Sequence, residues 1–500
     1  MSWFASIRLL LSGNSSKPKP SPTTEKETTL ILEARYASNP FLNLSDTIIS
    51  RIFTYHMYNS SILGQPAEQT LAGVCVHWRQ LMLKCPEFWT NIPVSCLVSH
   101  PAERITTYLN RAQGLAVELH LDLTADDRRR VLLPLIQKNG HRWRSLHLQC
   151  SSSQAQNLLI TSRDFYLADF PYLEHLSIIC LETLDEESLE DIGDNRRPRT
   201  ELLFDNGRRA PRLQSLRIQD LGLLQFRPPC HHITTLHLEQ HISGDMKPLY
   251  LSTFPRLVHL SLYGDFLFKP AELDLPRLLS LRSSDNQRLG NLLDVLHAPC
   301  LESLVLKNVR ETHIKGYGYG LSSDPEHCRF PALRHVILSN VGLWGSRLRA
   351  LLVDILSATR LDFVNYPADE LLRLLSGDDV GEGPVLLPFL ETLTVHQFYR
   401  ASNPSGLLSH LLETRRYYPL THLRVHRGVP LLEQSWGTET TRWEHLPPWP
   451  PGQSYSDLHD PFMALSSRVM IDPPHIVHIT ILPAEKKSRW ASLKQRFLLR

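Results

Sequence analysis

The residues best suited to chemistry in this chain are its histidines. His231, His232, His237 and His241 fall close enough together to raise metal ligation as a question. The surrounding pattern reads as a strand, where side chains alternate between faces. His237 would then project alone, with Leu236 and Leu238 turned inward, so no metal ligands are assigned. Lys315-Gly316-Tyr317-Gly318-Tyr319-Gly320 is rich in glycine. It lacks the Gly-Lys-Ser/Thr ending and the strand-to-helix setting of a phosphate-binding loop, and reads as an inserted loop. There is no Gly-x-Ser-x-Gly elbow and no His-Glu-x-x-His helix. The eight cysteines (75, 85, 96, 150, 180, 230, 300 and 328) are scattered without a Cys-x-x-Cys pair. They supply neither a thiolate zinc site nor a nucleophile with partners. The expectation is a protein that is not an enzyme, with no catalytic residue, cofactor or metal.

The elements that must position any binding residues are legible as an internal repeat, Pro-x-Leu-x-x-Leu-x-Leu. It opens at Pro171, Pro211, Pro255, Pro276, Pro299, Pro331 and Pro388, usually after Phe, Ala or Leu. Weaker copies sit at 143–148, 233–238, 361–363 and 420–425. The closing pair of apolar residues has period two, as a short strand with one buried face requires. Helical patterns lie between copies at 128–138, 288–297, 346–357, 368–375 and 407–415. Strand then helix, repeated at intervals of about 20 to 40 residues, predicts an irregular parallel β/α solenoid, a horseshoe.

Binding is expected on the concave face, formed by side chains that alternate with the buried pair. A third of the chain's 24 histidines fall there: His147, His175, His237, His259, His335, His396, His422 and His426. Arg217, Arg282, Arg360 and Arg424 join them. At these outward positions of the eleven copies only Glu239 and Asp362 are acidic. Such a face favours an acidic or phosphorylated target segment, with binding that strengthens below a pH near 6.5. His259, Arg282, Arg217, His237 and His335 are the candidate target-binding residues.

Ahead of the repeats, residues 41–95 read as a small helical module. Ser45 and Asp46 offer capping oxygens before Ile48, Ile49, Ile52 and Phe53 at helical spacing. After a turn-rich break, Pro66 suits the start of a second helix. That helix carries a stripe of Leu71, Val74, Cys75, Trp78, Leu81 and Met82 and ends at Pro86. Phe88, Trp89 and Ile92 are expected to close the module.

The string from Leu44 to Phe53 resembles the opening of an F-box, Leu-Pro-x-Glu-Ile-Leu-x-x-Ile-Phe. Val74-Cys75-Val76-His77-Trp78-Arg79 and Pro86-Glu87-Phe88-Trp89 match two further signatures of that family. Ser45 stands where Pro is usual, Thr47 where Glu is usual, and Phe88 where Leu is usual. The repeats resemble the leucine-rich repeats that often follow an F-box, mostly without their asparagine. The resemblance implies an α/β chain: a small all-α F-box, then an irregular leucine-rich-repeat β/α solenoid. It also implies docking onto the adaptor subunit of an SCF-type ligase, and through it onto cullin. Leu44, Ser45, Ile48, Ile49, Ile52 and Trp78 would face that subunit or support the face that does. The solenoid would hold an unknown target protein as a substrate receptor. The alternative is a protein-binding scaffold whose F-box-like module serves no ligase.

The chain is 42% hydrophobic and 21% charged, with net charge +2 and pI near 8.1. That balance argues against a nucleic-acid partner, which would call for a strongly basic face. No apolar run reaches the roughly 18 residues of a membrane span, so no membrane partner is expected. Residues 1–40 read as a flexible tail, since Ser15 to Thr29 is too polar to bury a core and residues 1–11 lack the longer apolar core of a signal peptide. Residues 96–430 form the repeat domain. Residues 431–500 hold a Pro-rich break at Pro447–Pro451, a last strand at 475–482 and a basic capping helix at 486–500. Dispersed cysteines fit a reducing compartment, cytoplasm or nucleus.

Overall fold

The computed structural model describes residues 44–60, 67–94, 100–123, 126–150, 168–180, 207–219, 231–240, 251–266, 273–315, 329–364, 369–377, 386–396, 404–415, 420–426 and 476–480. The expected tail at 1–40, the glycine-rich loop after Lys315, His241, the Pro-rich break and the basic helix at 486–500 lie outside these residues. No helix among the described residues is long and apolar enough to cross a membrane. The chain divides into two compact units, the first ending at Phe88 and the second beginning at Trp89.

The first unit is helical: α1 (Asp46–Ser60), α2 (Ala67–Ala72) and α3 (Val76–Lys84). The helix expected from Pro66 to Pro86 is in fact two. Gly73 and Val74 interrupt it, and Cys75 caps α3, its Sγ accepting from the Trp78 amide at 3.4 Å. The break redirects the chain so that Trp78 meets Phe53 edge-on, ring centroids 4.9 Å apart, and Phe88 also meets Phe53 edge-on at 5.6 Å. Ile49, Phe53, Leu71, Trp78, Leu81, Met82 and Phe88 form this unit's core.

The second unit is mixed α/β. Thirteen parallel strands lie side by side in chain order, and a fourteenth runs antiparallel at the end. The sheet begins earlier than the repeats suggested. Its first strands are β1 (Asn91–Val94) and β2 (Val117–Asp122), with α4 (Pro101–Arg111) between them. Ile92, expected to finish the helical module, is buried in β1 opposite Leu119. Pro93 is tolerated there because β1 is the edge strand of the sheet among the described residues, where no N–H is required of it. The helical unit is therefore shorter than the expected 41–95. Next come α5 (Asp126–Lys138) and strands β3 (Trp143–Cys150), β4 (His175–Cys180), β5 (Ser215–Gln219), β6 (Thr235–Gln240), β7 (His259–Gly264) and β8 (Ser280–Ser284). They are followed by α6 (Leu289–Val295), β9 (Ser303–Lys307), β10 (His335–Ser339), α7 (Gly345–Asp354), β11 (Arg360–Val364), α8 (Asp369–Ser376), β12 (Thr392–His396), α9 (Pro404–Thr414), β13 (His422–His426) and β14 (Ile476–Thr480). Every expected copy coincides with a strand, and the helical patterns between copies are helices.

The proline of each strong copy has a local job. Proline's fixed φ suits the second position of a β-turn. The amides of Leu173, Leu213, Leu257, Leu278, Leu301, Leu333 and Leu390 each bond the carbonyl three residues back, across the proline. The residue before the proline (Phe170, Ala210, Phe254, Leu275, Ala298, Phe330 or Leu387) is buried, anchoring the turn. The strand leaves this turn with its two apolar residues in register with those of the next strand. Leu216, Leu236 and Leu260 form part of one column, and Ile218, Leu238 and Leu262 part of the other. Each is at most 3% exposed. Strands β8, β9 and β10 each lead into a polar ladder that the repeat pattern did not announce. Asp285, Asn308 and Asn340 adopt left-handed φ of 53°, 53° and 54°, which Asp and Asn tolerate better than other side chains. Asn340 donates to Asn308 at 2.7 Å, and Asn308 to Asp285 at 2.9 Å.

Candidate functional site

On the helical unit, α1 sorts its apolar residues into two faces. Ile49 and Phe53 are fully buried, whereas Ile48 is 48% exposed and Ile52 36% exposed. Successive helical residues are turned by about 100°, so an i, i+4 pair one step from the buried pair looks outward. Ser45 is also exposed and Leu44 half-buried. Of the six residues that the F-box resemblance singles out, Ile49 and Trp78 are core, and only the other four reach solvent. Val76, 64% exposed, adds apolar surface at the start of α3. His77 beside it bonds Asp46 Oδ1 at 3.0 Å, tying the start of α3 to the start of α1.

On the sheet, the residues that alternate with the two leucine columns make a largely polar face with three positions per strand, interrupted by Val305 on β9 and Ile337 on β10. The register aligns His120, His147, Ser177, Arg217, His237, Ser261 and Arg282 along its middle row. Several of the basic residues are paired with carboxylates of the same sheet. Three carboxylates each take one basic residue two positions away on their own strand and one from the preceding or following strand. Glu118 on β2 lies 2.9 Å from His120 Nε2 and 3.4 Å from His147 Nε2. Glu239, its side chain wholly buried, lies 3.2 Å from His237 Nε2 and accepts from Arg217 at 3.2 Å. Asp362 Oδ2 lies 2.8 Å from His335 Nε2 and accepts from Arg360 Nε at 3.1 Å. Burial alone would raise the pKa of Glu118, but the hydrogen bonds and charges of His120 and His147 outweigh it and hold the carboxyl well below the usual range. Burial likewise opposes ionisation of Asp362, and the His335 and Thr394 hydrogen bonds with the Arg360 charge bring it down to about 2.

These pairs alter the expected reading of the target-binding residues. Arg217, His237 and His335 do lie on one face, yet each is already engaged by a carboxylate of the same sheet. Arg282 is only 3% exposed. His259 is pushed down to about 4 by burial and by the Arg282 charge, so it is neutral at pH 7 and does not switch near 6.5. Burial also lowers His175. The free basic surface inferred from residue types is thus largely neutralised, because a charge this poorly hydrated is stable only beside its opposite. Arg360 and His422 stay exposed; the side chains of His396, Arg424 and His426 lie outside the described part.

Glu118 and His120 escaped sequence reasoning because β2 has no proline turn before it. The available signal was the alternation of Val117, Leu119 and Leu121. Among the described residues, Glu118, His120 and His147 are the group of possible metal donors that converges; their ligand atoms all lie within 4.8 Å of one another.

No family model matches the chain, and no curated protein matches it. Among solved structures it is similar to the crystal structure of a protein from Bacteroides fragilis, a structural genomics target. That likeness has 14% identity and a TM-score of 0.27, covering 63% of this chain and 78% of the other. A similarity of this size carries no argument about function.

Proposed function

We propose that this chain is a non-enzymatic substrate receptor of an SCF-type cullin ubiquitin ligase. In this reading the helical unit is an F-box-like module that docks on the adaptor subunit, and the parallel sheet is the strand layer of a leucine-rich β/α solenoid that holds a target protein. The chain would contribute effective concentration and orientation, bringing target lysines to an enzyme carried by other subunits. The observation that carries the reading is the exposure of Ile48 and Ile52, side by side on α1 within the string that resembles an F-box. Isolated exposed apolar residues are ordinary. An i, i+4 isoleucine pair held outward by a core on the opposite side of the same helix is what a docking helix offers a partner.

Covering the exposed part of each isoleucine contributes about 1 kcal/mol, and a carboxylate in the same place costs several. The test is the Ile48→Asp/Ile52→Asp double variant of the full chain, expressed in a eukaryotic cell and purified by affinity tag. Loss of adaptor and cullin, with helical circular dichroism and melting unchanged, is the expected result. Retained adaptor and cullin would reject the docking assignment. Recovery of target proteins by the unsubstituted chain with neither adaptor nor cullin would favour the scaffold alternative.

A further inference from the structure

We propose that Glu118, His120 and His147 form a binding site for one divalent transition ion of the zinc class. Strand alternation sends Glu118 and His120 to the same polar face of β2, and the register sets His147 of β3 directly beside His120. The two nitrogens stand 2.9 and 3.4 Å from Glu118 Oε1. Donors at 2.0–2.1 Å around a tetrahedral zinc are about 3.3 Å apart, so both oxygen–nitrogen distances are close to the spacing of a coordination shell, and all three ligand atoms lie within 4.8 Å of one another. The three side chains are 11–12% exposed, which limits competition from bulk water.

The other two carboxylates of this face make the contrast. Glu239 and Asp362 each hold an arginine, which keeps its proton and cannot ligate a metal. Glu118 pairs instead with two imidazoles, which can release theirs. The two rings stack at 4.3 Å and 6°. Loading therefore turns at least one imidazole about its Cβ–Cγ bond, and His147 gives up its 2.8 Å contact with Ser145 Oγ. The next strand supplies an independent pointer. Ser177, opposite His147 in the register, is 4% exposed, and its Oγ has no hydrogen-bond partner among the described residues. A water or target group bound to the ion would give that hydroxyl one. Two imidazoles and one carboxylate leave a coordination position open, as in zinc sites that bind an exogenous ligand. The site stands or falls independently of the ligase reading.

The experiment titrates the metal-free full chain with Co²⁺, then displaces it with Zn²⁺. One equivalent is expected, with visible ligand-field bands of a nitrogen–oxygen site and no thiolate-to-cobalt charge transfer in the near ultraviolet. Glu118→Gln and His147→Gln are each expected to weaken binding at least tenfold. Absence of a stoichiometric cobalt spectrum, or a spectrum dominated by thiolate bands, would overturn the proposal from the unsubstituted protein alone, however the variants fold. Undiminished affinity in folded variants would overturn it equally.

Discussion

Replacing Asp362 by asparagine removes one negative charge from the polar face and little volume. The carboxylate is 11% exposed in its side chain and bridges His335 and Arg360. Its pKa falls from an ordinary value near 3.8 to about 2 in the folded chain. A carboxyl depressed by folding takes up protons more readily when unfolded, so its stabilisation is present well above pH 3.8 and is lost as pH falls through 2. At about 1.4 kcal/mol per pH unit, the difference contributes about 2 kcal/mol at neutral pH. Roughly half of that survives at pH 3, between the two values. Asparagine keeps one acceptor oxygen but not the charge, so Asp362→Asn is expected to cost about 2 kcal/mol at pH 7 and about 1 at pH 3. Urea titrations of both proteins at each pH, followed by far-ultraviolet circular dichroism, read this as a difference in midpoint at a common slope. A gap below about 0.5 kcal/mol at pH 7 would refute the reasoning, because the ion bridge would then be no better than its hydrated, separated parts. So would a gap that does not change with pH.

His259 shifts stability in the same sense as Asp362, but at higher pH. Its folded pKa of about 4 lies below the ordinary 6.5, so the unfolded chain takes the proton first and stability falls as pH drops from 6.5 toward 4. His259→Gln should remove that part of the acid sensitivity, and NMR titration of the His259 ring should give a midpoint near 4; a midpoint near 6.5 would contradict the burial argument. Gly264 ends β7 at φ +94°, and a Cβ there would overlap the Gln240 backbone carbonyl of β6. Gly264→Ala should therefore destabilise the sheet by more than about 3 kcal/mol and reduce the yield of folded protein, as thermal melting would show. An unchanged melting temperature would mean the strand ends yield easily.

The sequence alone was enough for features whose physics is local. Proline's fixed φ and a buried residue ahead of it build the turn, and period-two leucines make the strand that follows, so each repeat copy could be located without a neighbour. The outward pair Ile48 and Ile52 was also within reach, since helical spacing separates it from Ile49 and Phe53. What the sequence left undecided depends on partners far along the chain. Residue types suggested a free basic face, but Arg217 meets Glu239 across 22 residues and His335 meets Asp362 across 27. Those encounters are set by strand register, which short-range pattern does not encode when connections vary in length. The inward turn of Trp78 likewise follows from the chain break at Gly73. Glu118, His120 and His147 were brought together only because β2, which carries no repeat signature, hydrogen-bonds to β3. Pattern told which side chains share a face; pairing between strands decided which charges are spent on one another and which donors converge.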